Sequence, residues 1–345
     1  MVKKERIGRR QVLQLGAAVA ASWSGLRTTW AAWEPPESAM PVQIQVDLSR
    51  PPLHPTNPLL TGTNMPWMYG SEGMMDPQGH VRDAMMARAR EWSPPVIRYM
   101  AGESVRGFRW RQGVGPQAER PVVKPDANQQ AQRILFGTKE FLETCEALGS
   151  VPLIEVNMYE GQEADLPREV GDWVRYANSS DLRSQRTGRL LPKVRYWELG
   201  NEPYVRDSRG PDGRANPEFF RPAQFARRLN AAMAAVRSAD PSARIGIPFA
   251  LDTLSGRSWR PNSEPATVVG EQLGYADKLL SALDRPQDVD FLSLHFYMPL
   301  VSGDGPELLA RLPNDEALYW GTVAGSETLR RHLQTVAEFW EQHPR

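Results

Sequence analysis

Asn201 and Glu202 stand where the apolar run "VRYWEL" gives out, and Pro203 follows at once. A strand needs neither an amide nor a carboxyl at its end. A carboxyl at the rim of a cavity walled by aromatic rings can be desolvated, which raises its proton affinity and suits it to general-acid work. The alternative is a strand-end Glu neutralised by a nearby Arg, and spacing alone leaves both readings open. Strand alternation puts Tyr196, Glu198, Gly200 and Glu202 on one face and turns Asn201 away, unless the strand end breaks or bulges. Pro203 cannot donate to a continuing ladder, so the strand must end by that point.

Other chemistries find less support. His295 has no second His at metal-ligand spacing, and "HExxH" is absent, so no metal is expected. No G-x-G-x-x-G follows the first strand-like run, and no organic cofactor is expected. Cys145 is the only cysteine, which excludes an intrachain disulfide. It shares a helical face with Phe141, Leu142 and Leu148, the place of a small buried hydrophobe rather than a reactive thiol.

The elements that must position Glu202 follow a rhythm. "PLLTGTN", "PPVIRYMAGE", "VPLIEVNMY", "VRYWELGNE", "ARIGIPFA" and "VDFLSLHFY" read as short strands. Helical stretches at 80–92, 138–149, 167–178 and 222–240 lie between them; in the last, Phe225, Leu229, Met233 and Val236 keep the helical period. Alternation of this kind implies parallel strands joined by helical crossovers. The strand faces separate the two main possibilities. Ile154, Val156 and Met158 oppose Leu153, Glu155, Asn157 and Tyr159, and Leu292, Leu294 and Phe296 oppose Ser293, His295 and Tyr297. A doubly wound strand is covered on both faces and should be apolar on both. One face here turns polar towards the carboxyl end, which suits a (β/α)₈ barrel with its site at the strand C-terminal ends.

Composition is that of an ordinary globular chain, with zero net charge over 345 residues. No basic run recurs with interleaved aromatics, so nucleic acid and anionic membrane are poor partners. Residues 1–32 read as an export signal: Arg9-Arg10, a weak apolar run too short and polar to span a bilayer, then small residues near Ala31 and Ala32. The paired arginines resemble a twin-arginine signal, which implies a periplasmic or secreted protein. Residues 33–58 read as a Pro-rich linker with one short strand, and 59–345 as the barrel. Oligomeric state is not legible.

"RYWELGNEP" resembles the fourth-strand signature of the retaining glycoside hydrolases built on a (β/α)₈ barrel. Residues 94–121, 136–157 and 289–297 are similar, in order, to the second, third and sixth units of one family among them, the family 51 α-L-arabinofuranosidases. The resemblance implies a carbohydrate substrate and no cofactor. It makes Glu202 the acid/base and Asn201 the ligand of the sugar 2-hydroxyl. Arg98 becomes an interior charge that steadies the site, or one that only neutralises Glu198 or Glu155. Tyr297 becomes the partner of the nucleophile, and Trp110 and His295 join the substrate-facing set, although Tyr297 and His295 also suit a packed core. Two landmarks depart from the family: Met65, Pro66 and Trp67 stand where a sugar-binding Glu is usual, and Ala101, Gly102 and Glu103 replace Gly-Gly-Asn. Glu103 is then a possible anion at the site, and the substrate transfers less well than the fold. A β-glucuronidase or endo-glycanase of the same clan is the neighbouring alternative.

A retaining enzyme needs a second carboxyl roughly 5 Å from the first. Along an extended strand Glu198 would lie about 13 Å from Glu202, and both it and Glu155 sit deep. The resemblance puts the nucleophile at the end of a seventh strand. After Tyr297 the sequence gives a loop and a sixth amphipathic helix at 326–340, so the nucleophile is expected beyond Arg345 and the chain reads as a fragment with six β/α units. A non-catalytic, sugar-binding remnant is the competing expectation.

Overall fold

The computed structural model describes residues 57–100, 102–124, 130–159, 161–204, 220–249, 275–295, 329–330, 333–334, 337–338 and 341. The signal and linker expected over 1–58, except 57–58, lie outside these residues, as does Tyr297; of Glu103 only the backbone is described.

Six parallel strands form one curled sheet in sequence order, a half-barrel: β1 (Thr63–Met65), β2 (Val96–Tyr99), β5 (Val151–Val156), β6 (Tyr196–Leu199), β7 (Arg244–Phe249) and β8 (Phe291–Leu294). A two-stranded hairpin, β3 (Val122–Val123) with β4 (Gln132–Arg133), is inserted after β2. The crossovers carry α1 (Asp83–Trp92), α2 (Thr138–Leu148), α3 (Leu166–Ala177), α4 (Pro222–Ala239) and α5 (Tyr275–Ser281). All six expected strands are present, and the partial (β/α)₈ reading holds. The hairpin and α5 were not foreseen: the hairpin strands are two residues each, too short for any period to show.

Alternation divides each strand as the sequence suggests. Ile97 and Tyr99, Ile154 and Val156, Trp197 and Leu199, and Ile245, Ile247 and Phe249 are buried against the helices. Tyr99 stacks on Phe141 of α2 at 4.7 Å between ring centres, and Trp197 meets Trp173 of α3 edge-on at 6.0 Å. On α4, Phe225, Leu229, Met233 and Val236 are all buried, as their 3.6-residue spacing requires. Cys145 is buried on α2, and burial pushes its thiol well up, which leaves it unreactive.

The opposite face of the sheet carries charge. The register places Glu155 of β5 directly beside Glu198 of β6, with Gly246 of β7 and Phe291 of β8 continuing the row. A Cβ on Gly246 would sit 2.1 Å from the Phe291 ring, so glycine there makes room for an aromatic that also meets Tyr196 edge-on at 6.0 Å. Two carboxylates side by side in a barrel interior demand a cation, and β2 supplies Arg98.

Candidate active site

Arg98 is the hub of the interior. Its Nε donates to Glu198 Oε2 at 2.6 Å and its Nη2 to Glu198 Oε1 at 3.0 Å, a two-pronged pair of the strong kind. Nη2 also lies 3.0 Å from Glu155 Oε2 and donates to Asn201 Oδ1 at 3.1 Å. The sequence left open whether Arg98 serves Glu155 or Glu198. It serves both, and holds the Asn201 amide besides.

β6 ends at Leu199, and the chain then curls. Gly200 has φ +94° and Glu202 φ +43°, values that extended backbone does not reach. A Cβ on Gly200 would meet Phe225 Cζ at 2.9 Å and the Tyr159 hydroxyl at 3.2 Å, so both conformation and space require glycine. This break is what alternation alone could not foresee. It brings Asn201 inward, 1% exposed, beside Arg98. The Asn201 backbone N–H donates to the Tyr159 hydroxyl at 2.8 Å, and that hydroxyl also bonds the Asn201 carbonyl oxygen. With Oδ1 engaged by Arg98, the Asn201 amide orientation is set: oxygen towards the guanidinium.

Glu202 meets His295, which follows β8: Nδ1 lies 2.7 Å from Glu202 Oε1. The other ring nitrogen, Nε2, lies 3.9 Å from Glu198 Oε1 and 3.4 Å from Ser293 Oγ. One imidazole therefore touches both carboxyls. The shared imidazole places Glu202 nearer to Glu198 than the roughly 13 Å of a straight strand, and the positive φ at Gly200 and Glu202 is where the chain departs from that path. Glu198 is nonetheless no free nucleophile, because it is 1% exposed and both its oxygens are held by Arg98.

The electrostatics follow from these contacts. Burial works against the charge of His295, but its contacts with Glu198 and Glu202 outweigh it and raise its pKa to about 9. Burial likewise opposes the charge of Glu198, yet His295 and Arg98 pull it down to about 2. Arg98, despite its own burial, is pushed above the ordinary guanidinium range by Glu155 and Glu198. At neutral pH the sequence from β2 to the rim is cation, anion, cation: Arg98, Glu198, His295. Next stands Glu202, its side chain 16% exposed.

Arg98, Asn201, Glu202 and His295 thus come together. Trp110 does not join them. It is 7% exposed, stacks on Trp173 of α3 with 6.0 Å between ring centres, and carries the Arg111 guanidinium 4.5 Å from its own ring centre. Its Nε1–H donates to the Glu169 carbonyl oxygen at 3.1 Å. Its indole packs against Trp173 of α3, apart from the cluster around Glu202. Trp67, in a departing landmark, is likewise buried and packs on Phe108 at 5.4 Å. A cavity of about 400 Å³ opens at the carboxyl end of β5, lined by Phe108, Trp110, Asn157, Leu166 and Trp173, and does not reach Glu202. Sequence reasoning missed Tyr159 as the clamp on Asn201, although its place on the polar face of "IEVNMY" was the available signal. Among the described residues no group of three or more His, Cys, Asp or Glu side chains is placed to hold a metal ion, and no helix is long and apolar enough to cross a membrane.

A parallel half-barrel that gathers an Asn-Glu pair at its carboxyl edge has the form of a (β/α)₈ glycoside hydrolase, and known proteins bear out the resemblance to family 51. Residues 90–247 match the Alpha-L-arabinofuranosidase 1 domain. A stretch of 136 residues is 37% identical to Alpha-L-arabinofuranosidase C of Emericella nidulans and covers 37% of this chain and 26% of that protein. Another, of 161 residues, is 28% identical to the intracellular exo-alpha-L-arabinofuranosidase of Bacteroides ovatus and covers 45% of this chain and 29% of that one. In structure the chain resembles a family 51 α-L-arabinofuranosidase from Bifidobacterium longum, with TM-score 0.62 and 19% identity over 86% of this chain and 53% of that one. It also resembles an α-L-arabinofuranosidase from Thermotoga maritima, with TM-score 0.50 and 23% identity over 69% of this chain and 46% of that one. The likeness therefore spans about a quarter of the curated relatives and about half of the solved structures.

Proposed function

We propose that this chain carries the acid/base half of a retaining α-L-arabinofuranosidase-type glycoside hydrolase. Glu202 is the acid/base: it protonates the departing glycosidic oxygen and later takes a proton from the incoming water. Asn201, its amide oxygen fixed by Arg98, turns its NH₂ group to a sugar hydroxyl. The observation that supports this most is the curl at Gly200, which brings an amide and a carboxyl to the same rim above a neutralised charge cluster. No metal or organic cofactor enters the scheme. The second carboxyl that forms the glycosyl-enzyme is not found beside Glu202 among the described residues. A sugar-binding role without turnover is therefore the second reading. Assaying a form that also supplies the second carboxyl against α-L-arabinofuranosides, β-glucuronides and β-glucans separates the possibilities. Release of arabinose supports the proposal; cleavage of one of the other two instead moves the substrate within the clan. Arabinoside binding without release supports the second reading.

Export belongs to the same proposal and rests on Arg9-Arg10 and the weak apolar run after them. Replacing both arginines with lysine is expected to keep the chain in the cytoplasm on fractionation. Unchanged export would dismiss the twin-arginine route.

A further inference from the structure

Glu155 has no task in the reaction proposed above, yet it lies at the base of the site with 0% exposure. Among the described residues, three charged groups face it. Arg98 of β2 lies 3.0 Å from its Oε2, Glu198 is its register partner on β6, and His295 after β8 faces the same cluster. The Gly102 N–H donates to Oε2 at 2.8 Å, while Oε1 has no hydrogen-bond partner. Arg98 gives Glu198 two hydrogen bonds and Glu155 one shared nitrogen. One guanidinium cannot neutralise two adjacent buried carboxylates, and a buried anion with an oxygen unbonded costs far more than a neutral acid in the same place.

We infer that Glu155 stands as a neutral acid and is a positioning residue: with its proton in place, the charge of Arg98 is answered chiefly by Glu198, and charge alternates from Arg98 through Glu198 to His295. Burial, reinforced by the charge of Glu198 and opposed by Arg98, holds the Glu155 carboxyl well above the usual carboxylate range, in agreement with the geometry. What Glu202 and Asn201 then do at the end of this series rests on the proposed function; the proton on Glu155 does not.

The test is infrared difference spectroscopy of the full chain at pH 7–8, without substrate, against Glu155→Gln. A neutral-carboxyl C=O band present in the wild type and lost in the variant is expected. The band should also vanish in Glu198→Gln, where Glu155 becomes the sole anion available to Arg98. If Glu155→Gln does not fold, Glu155→Asp serves: it keeps an acid but withdraws it from Gly102, and the band should shift. The melting temperature gives a second readout that mere packing would not move. Because the wild type must take up a proton on folding, at growing cost above the ordinary Glu range of about 4.3, Glu155→Gln should gain on the wild type progressively as pH rises. Identical spectra in the carboxyl region, or a pH-independent difference in melting temperature, would overturn the inference. Absence of hydrolysis would count against the proposed function and leave this result standing.

Discussion

His295 touches both Glu202 and Glu198, and so joins the rim to the interior. Its raised pKa has a definite consequence for stability. The group gains affinity for its proton on folding, so its contribution is full below its ordinary value near 6.5 and is lost as pH rises through about 9. Replacing His295 with Asn should therefore lower the unfolding free energy by an amount on the order of 3 kcal/mol at pH 6. The difference should shrink between pH 6.5 and 9, as read from urea midpoints across that range. Glu198 behaves oppositely: held at about 2, it stabilises above the ordinary Glu range and loses that contribution as pH falls towards 2. Arg98 answers to two buried carboxyls and one amide. Arg98→Met would strand the Glu198 anion and is expected to cost about 3–5 kcal/mol at neutral pH, measurable by the same denaturant titration. These roles were half legible. Alternation, with its period of two, places Glu155 and Glu198 on inward faces and the family resemblance adds Arg98, but neither gives the distances that let one guanidinium serve all its partners. The contact between His295 and Glu202 joins residues 93 positions apart, and no local pattern encodes it.

The decisive element is the end of β6. Hydrophobic alternation revealed the strand itself, as it did the other five. The same alternation turns Asn201 away only if extended backbone continues past Leu199, and the break it left open is what occurs. The information lay in Gly200, the residue type that takes φ +94° without strain. Gly200→Ala is expected to cost about 2 kcal/mol or more, through a disfavoured backbone and the close approach to Phe225. It should also disturb the bonds between Tyr159 and Asn201, so ligand binding should weaken beyond what lost stability explains, checked by calorimetric titration with L-arabinose below the unfolding transition. Helix α5 was missed for a different reason: seven residues, Tyr275–Ser281, give fewer than two full turns and too few apolar repeats to stand out.

Across the whole molecule, the fold was more legible than the site. Six strand-like runs alternating with helices, each strand apolar on one face, can form few structures other than a parallel barrel sheet, and the order β1-β2-β5-β6-β7-β8 matches that expectation. The similarity to arabinofuranosidases runs through the part of the chain that holds Arg98, Glu155, Glu198, Asn201 and Glu202. The central claim is that Glu202 acts as general acid, and leaving-group dependence tests it most directly. Hydrolysis of an alkyl and of an activated nitrophenyl α-L-arabinofuranoside should be compared in the wild type and in Glu202→Gln. A poor leaving group needs the proton and an activated one hardly does. The variant should therefore lose about 10²–10⁴-fold in kcat/KM on the alkyl arabinoside and far less on the nitrophenyl one. Equal losses on both substrates, or undiminished activity in the variant, would contradict the assignment.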